Sequence, residues 1–335
     1  MEKTIMNVIV DGGIGDLILA LPLIQHFLEI TGYCIKINVY SSFPEIAKYF
    51  LPSIIALPTI PYFRRDGNDF DYSISISDMV YFNKKPNTIL PPSFQHLYNN
   101  WVNIFKDWEL FLTTHPFNAN DMAHKALRLG LRRWTLPFFS VGKEYEPYKF
   151  YEEIGKIECP NKFITIHDGF DATNHYKFER STKSWSIVYW EKFVTLFKNE
   201  FPNIQVVQLG GVKHKPIKNA DINLAGQLEF TKTLQYLNSS FLHIDGDSGL
   251  VHARKLFNKP SVVIFGSTNV EYFGYKENIN IAPNFCGDCW WKKSDWMQNC
   301  KEKYESPKCI DSVIPEEVFK KVKNMLLMKD TLTPE

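Results

Sequence analysis

The sequence predicts an α/β protein of two doubly wound, parallel-sheet domains. Three observations lead there. A short β-branched run enters a glycine turn and then a helix at the N-terminus. Strands and helices alternate with a regular beat from residue 162 to residue 328. A stretch rich in charge and proline separates the two regions.

Thr4 to Val10 reads as a strand that enters the turn Asp11-Gly12-Gly13-Ile14-Gly15-Asp16, and Leu17 to Ile30 reads as a helix with Asp16 as N-cap and Pro22 as a kink. A strand at Cys34 to Tyr40 completes a βαβ unit. From Asp78 to Trp134 the clear strands fade and aromatics take over. Phe94, Tyr98, Trp101, Phe105, Trp108 and Phe111 recur at helical spacing and share one stripe. A buried amphipathic helix accounts for them; an aromatic wall of an acceptor groove or a membrane-leaning face is the sharper alternative. Lys125, Arg128, Arg132 and Arg133 are expected on a second helix as a solvated face that would also suit an anionic acceptor. The linker is placed at Gly142 to Pro160.

Beyond it, strands are expected at Lys162 to His167, Ile204 to Gly210, Phe241 to Asp245 and Ser261 to Phe265. Helices are expected at Ile187 to Asn199, Phe230 to Asn238, Ser248 to Phe257 and Pro315 to Met328. The domains are therefore set at 1–155 and 160–312, with a C-terminal helix and tail at 313–335. Two such halves imply a central cleft, with ligands outside the carboxyl ends of the strands.

Composition narrows the function. With 38 Lys+Arg against 37 Asp+Glu the net charge is +1, which lacks the basic excess a polyanion binder needs, so no nucleic-acid partner is expected. No apolar run approaches the length that spans a bilayer, and the N-terminus lacks a signal-peptide pattern. A cytoplasmic location follows as an expectation, with peripheral membrane contact left open. Aromatics make up 15% of the chain, and such faces serve both cores and sugar sites.

The first glycine loop fails as a dinucleotide fingerprint, because Ile18 stands where the third glycine belongs and the second strand ends Val39-Tyr40-Ser41 without an acidic residue. The Walker pattern is absent too. Asp16 is either a helix cap or a general base for a substrate hydroxyl, and local sequence leaves both open. Gly246-Asp247-Ser248-Gly249-Leu250-Val251-His252 follows an apolar strand and opens a helix. Its backbone N–H groups and the Ser248 hydroxyl suit a phosphate, Asp247 suits a sugar hydroxyl, and His252 is either a phosphate donor or a core residue. In Arg180-Ser181-Thr182-Lys183-Ser184-Trp185, Lys183 could offset a diphosphate charge while Trp185 packs beneath.

Together these clusters resemble glycosyltransferase family 9, the ADP-heptose lipopolysaccharide heptosyltransferases and their relatives. The resemblance rests on Gly13-Ile14-Gly15-Asp16 with Leu21-Pro22, on Lys183-x-Trp185, on Gly210-Gly211, on Ala225-Gly226, and on Asp247-Ser248-Gly249-x-x-His252 followed by Pro260 and Phe265-Gly266-Ser267-Thr268. It implies a GT-B fold, with the acceptor held mainly by the first Rossmann-like domain and the nucleotide sugar by the second. It implies inverting transfer with Asp16 as catalytic base beside Gly12, Gly13 and Gly15. Thr182, Lys183, Gly226, Asp247, Ser248, Gly249 and His252 would bind the donor, without a catalytic metal. The donor would be a nucleoside-diphosphate sugar, ADP-heptose being favoured, and the acceptor a glycan or protein. Relatives often carry a hydroxyl or basic residue where this chain has Asp11-Gly12, and residues 167 to 179 match poorly. A nucleotide-sugar epimerase using His167, Asp168 and Asp171, or a silent glycan-binding protein, are the rival readings.

Cys286-x2-Cys289-x10-Cys300-x8-Cys309 gathers four of the six cysteines, the ligand count of a closed tetrathiolate site and therefore a structural one. Disulfides fit poorly in a cytosolic chain. Heptosyltransferases that modify autotransporter proteins resemble this chain in a similar cluster that holds iron; spacing alone does not separate iron from zinc.

Overall fold

The computed structural model describes residues 5–59, 70–114, 118–159, 161–169 and 180–330. The chain divides into two compact units, Met1–Glu153 and Ile154–Glu335. The division falls inside the expected linker, whose two ends are bound to different units. Gln25 exchanges two 2.9 Å hydrogen bonds with the backbone of Lys149, whereas Asn238 and the Ser239 hydroxyl bond the backbone of Ile154 and Ile157.

The first unit runs β1 (Ile5–Val10), α1 (Ile14–Ile30), β2 (Lys36–Ser41), α2 (Pro44–Phe50), β3 (Ile55–Pro58), β4 (Tyr72–Ile76), β5 (Val80–Lys84), α3 (Pro92–Thr114), α4 (Ala119–Arg128) and α5 (Leu136–Phe139). Its sheet is ordered β3-β2-β1-β4-β5, parallel except for the β4–β5 hairpin. Every residue of α1 from Leu17 to Leu28 is buried, so this helix is core on all sides and Pro22 is absorbed within it. Asp16 is not the N-cap. Gly13 takes that position, and Asp16 stands in the first turn with its carboxylate accepting the Gly13 N–H.

The aromatic stripe lies on α3, partly as core, with Tyr98, Phe105 and Phe111 only half-buried. Phe94, Trp101 and Trp108 are buried, and the Trp101 indole donates to the Val80 carbonyl at 2.8 Å. Helix α4 ends at Arg128, so Arg132 and Arg133 leave the expected helix for a turn, and Arg133 is buried rather than solvated. The region after Asp78 also contains a strand, β5, that the aromatic-rich sequence concealed.

The second unit runs β6 (Phe163–His167), α6 (Ile187–Glu200), β7 (Gln205–Gln208), β8 (Ile222–Asn223), α7 (Phe230–Ser239), β9 (Leu242–Gly246), α8 (Gly249–Lys255), β10 (Ser261–Ile264), α9 (Val270–Phe273), β11 (Ile279–Ile281), α10 (Lys308–Asp311) and α11 (Pro315–Asp330). Its wholly parallel sheet is ordered β11-β10-β9-β6-β7-β8. Strands buried on both faces read as apolar runs, as in Val262 to Ile264. Trp190, Phe193 and Phe197 of α6 fill one side of the core with Val318, Val322 and Leu326 of α11, so the C-terminal helix belongs to this unit. No helix among the described residues is long and apolar enough to cross a membrane.

Candidate functional site

Each sheet reverses its strand order once, between β1 and β4 in the first unit and between β6 and β9 in the second. Doubly wound sheets take their ligands at such reversals, outside the strand carboxyl ends.

At the first reversal the glycine loop follows β1 while Ser77 and Asp78 follow β4. Arg133 joins them. Its Nη2 donates to Asp16 Oδ1 at 2.7 Å, its Nη1 donates to the Ser77 carbonyl at 2.9 Å, and its Nε lies 3.0 Å from Asp78 Oδ1. Asp16 Oδ2 accepts the Gly13 N–H at 2.9 Å. The guanidinium is 4% exposed and the Asp16 side chain 37%, so a buried cation fixes a carboxylate that still meets solvent. Gly12 has φ +110°, and a Cβ there would lie 2.2 Å from Asp16 Oδ2; only glycine fits. Gly15 lies in the first turn of α1.

At the second reversal His167 and Asp245 are register partners. Asp245 is fully buried. Its Oδ1 accepts from His167 Nδ1 at 2.8 Å, and its Oδ2 accepts from His243 Nε2 at 3.1 Å and the Ser248 hydroxyl at 2.5 Å. Burial alone would raise the Asp245 carboxyl, but the two imidazoles hold it well below the usual carboxylate range. Burial alone would likewise lower His167, and Asp245 reverses it to a net upward shift. Beside this pair His214 Nδ1 donates to Asp168 Oδ1 at 2.6 Å. Lys183 Nζ stands 3.6 Å from Asp247 Oδ2, a buried oxygen that makes no hydrogen bond.

The structure thus brings Lys183, Asp247, Ser248 and Gly249 to one reversal and gives the other expected donor residues different surroundings. Ser248 caps α8 by accepting the Leu250 N–H, so its oxygen is shared between the cap and Asp245. His252 is buried with Nδ1 2.8 Å from the Tyr275 hydroxyl, a core arrangement. Thr182 turns toward the cysteine segment, donating to the Trp296 carbonyl at 2.8 Å and meeting the Ser267 hydroxyl at 3.1 Å. Gly226, at φ +70°, lets two loops touch, since a Cβ there would lie 2.6 Å from Val212 Cα. Arg133, His214 and the His167–Asp245 pairing escaped the sequence. Register pairing of two strands at a reversal was the one signal that could have found the last of these. Asp171 lies outside the described residues.

Cys286, Cys289, Cys300 and Cys309 are free thiols that line one cavity of about 100 Å³ with Thr182, Ser267 and Lys301. No three of their sulfurs lie within 4.8 Å of one another, so a closed tetrathiolate is not preformed. Burial, with the neighbouring cysteines adding to it, pushes Cys289 up to about 11 and Cys309 up to about 12. The donor set suits a thiophilic cation, which would have to draw the four sulfurs inward.

The family model of glycosyltransferase family 9 (heptosyltransferase) matches residues 172–304. Lipopolysaccharide heptosyltransferase 1 of Campylobacter coli is 28% identical over 262 residues, covering 70% of this chain and 67% of that protein. Among solved structures, the iron-containing dodecameric glycosyltransferase TibC of enterotoxigenic E. coli aligns over 99% of this chain and 77% of its own, with TM-score 0.63 and 14% identity. E. coli ADP-heptose lipopolysaccharide heptosyltransferase II aligns over 98% of this chain and 100% of its own, with TM-score 0.54 and 13% identity. These likenesses agree with the two doubly wound sheets and place the fold in the GT-B class. The chain is thus similar to the heptosyltransferases of glycosyltransferase family 9, the family its residues 172–304 match, and is a glycosyltransferase.

Proposed function

We propose that the enzyme transfers a heptose, with inversion, from an ADP-linked donor to a hydroxyl of a lipopolysaccharide, another surface glycan or a protein. Asp16 acts as the base, taking the hydroxyl proton as that oxygen attacks the anomeric carbon and the nucleoside diphosphate leaves. Lys183 offsets the charge gained by the leaving diphosphate, and Asp247 takes a sugar hydroxyl. The observation that carries the reading is Asp16 itself. Both its oxygens are oriented by donors from its own unit, while more than a third of the side chain remains open to a substrate. The Campylobacter coli relative supports heptose as the sugar, and the TibC structure holding ADP-D-β-D-heptose supports the donor class.

The four cysteines are proposed to hold a structural iron or zinc ion, a reading supported by their shared cavity and by the iron-containing description of TibC. A cytoplasmic location is proposed with it, where nucleotide sugars and thiols are both kept.

The test is product analysis by mass spectrometry with ADP-heptose and a panel of glycan and peptide acceptors. Wild-type enzyme should glycosylate at least one acceptor, and Asp16→Asn should lose roughly 10²-fold or more in kcat while remaining folded. Near-normal transfer by that variant would overturn the role of Asp16. An epimerised donor formed without acceptor would overturn the transferase reading of the site.

A further inference from the structure

We infer that the second unit carries a binding site for a divalent transition-metal ion, built by His167, Asp168 and His214 at the reversal of its sheet. The site shares no residue with the cysteine cavity.

Three observations converge on it. First, these residues offer ligand atoms that all lie within 4.8 Å of one another; the one other such group among the described residues, His26, Glu29 and Glu146, is largely exposed. The ring centroids of His167 and His214 are 5.0 Å apart and tilted by 37°. Two imidazoles sharing one ion at about 2.1 Å per metal–nitrogen bond, with a tetrahedral angle between them, would have centroids roughly 5 Å apart.

Second, His167 is oriented as a metal-ligating histidine is. Its contacts with Asp245, the Ser248 hydroxyl and the Gly169 N–H all fall on Nδ1, so Nε2 is the nitrogen left to bind the ion. A carboxylate on the far ring nitrogen is the usual partner of a metal-bound imidazole, fixing its tautomer and raising its basicity. Asp245 fills that place. It is fully buried, and His243 and Ser248 hold its second oxygen. Its negative charge faces imidazoles and a hydroxyl, an arrangement that a cation on the imidazole side completes.

Third, the backbone is cut to seat the other histidine. Gly210 has φ +155°, and a Cβ there would lie 2.7 Å from His214 Cγ. His214 is thereby packed against the loop with a side chain 4% exposed, facing Asp168. The incoming ion takes the place of the proton now between His214 Nδ1 and Asp168 Oδ1, and the neutral imidazole then carries its proton on Nε2. Two imidazoles and one carboxylate without sulfur select a borderline divalent ion such as Zn²⁺, Mn²⁺ or Co²⁺, and three protein ligands leave coordination positions open.

Co²⁺ titration of the full chain after chelator treatment tests the site, because thiolate ligation adds an intense sulfur-to-metal charge-transfer absorption that nitrogen and oxygen ligands lack. Wild-type protein should bind one Co²⁺ whose spectrum is d–d absorption alone, in addition to any Co²⁺ taken up by the cysteines with thiolate charge transfer. His214→Gln and His167→Gln should each weaken that ion by more than 10-fold, and Asp245→Asn by roughly 10- to 100-fold. Circular dichroism reports whether each variant folds. His214→Gln, on a loop, decides the matter if substitutions in β6 or β9 unfold the unit. Co²⁺ bound with thiolate absorption only, or the sulfur-free ion bound equally by wild type and His214→Gln, overturns the inference.

Discussion

Arg133 Nη2 and Asp16 Oδ1, 117 positions apart in the chain, meet at 2.7 Å, the arginine buried and the aspartate open to solvent. The same guanidinium reaches Asp78 and the Ser77 carbonyl, so three elements of the first unit converge on the carboxylate proposed as base. With Asp16 proposed as the base, the proposed role of Arg133 is to position it.

Arg133→Lys should keep the charge and lose the fork that spans both carboxylates. The expected result is a fall in kcat of about 10²-fold with little change in KM for the donor. Arg133→Met should cost about 3–5 kcal/mol of stability as well, because two carboxylates then face each other without the guanidinium. Adding Asp78→Asn to Arg133→Met should restore much of the melting temperature and none of the kcat. If activity returned with stability, the role of Arg133 would be structural alone.

Gly12→Ala asks whether the glycine serves the loop or the carboxylate. The new Cβ is strained by the positive φ and lands 2.2 Å from Asp16 Oδ2, so the side chain must swing away from Gly13 and Arg133. Gly12 is exposed, which confines the damage to the loop. A loss of about 1–3 kcal/mol in stability is expected, with activity falling to the level of Asp16→Asn. Gly13→Ala makes the control, since its Cβ would meet Asp16 Oδ2 at an ordinary 4.0 Å. Equal activity loss in the two variants would mean that the clash is not the cause.

Metal at the cysteines should appear as stability. A cation present at about 100 times its dissociation constant contributes about 2.7 kcal/mol. For a unit of this size that raises the melting point by roughly 5–10 °C. Cys289→Ser and Cys309→Ser should each abolish that increment. Purified protein with under about half an atom of iron or zinc per chain after anaerobic preparation, and no stabilisation on adding either, would remove the metal reading.

What the sequence disclosed and what it hid follow from the range of the forces involved. Helix α3 was legible because Phe94, Trp101 and Trp108 repeat at helical spacing and periodicity is local. Strands β3, β8 and β11 are short pieces at sheet edges, and they form because β2, β7 and β10 are already there to pair with. Asp16 stood out by its glycine setting, yet local sequence misjudged its place by three positions, since Gly13 caps the helix by backbone shape with no side chain to announce it. Arg133 was hidden most completely. A basic residue among three others reads as a solvated face, and only the fold brings Asp16 and Asp78 to it.

Lys183 and Asp247 give the last prediction, because their 3.6 Å pairing makes each residue's effect depend on the other. Without Lys183, Asp247 leaves a buried carboxylate beside the expected diphosphate, so Lys183→Ala removes an attraction and uncovers a repulsion. ADP affinity, measured by calorimetry, should then fall roughly 10- to 100-fold. Asp247→Asn in that background removes the repulsion and should recover part of the loss. In the wild-type background Asp247→Asn should leave ADP binding intact or tighter while weakening ADP-heptose, because the proposed partner of the carboxylate is the sugar rather than the phosphates. Additive effects of the two substitutions on ADP binding would mean that the pair does not share the donor site, and an unchanged ADP affinity in Lys183→Ala would place the diphosphate elsewhere.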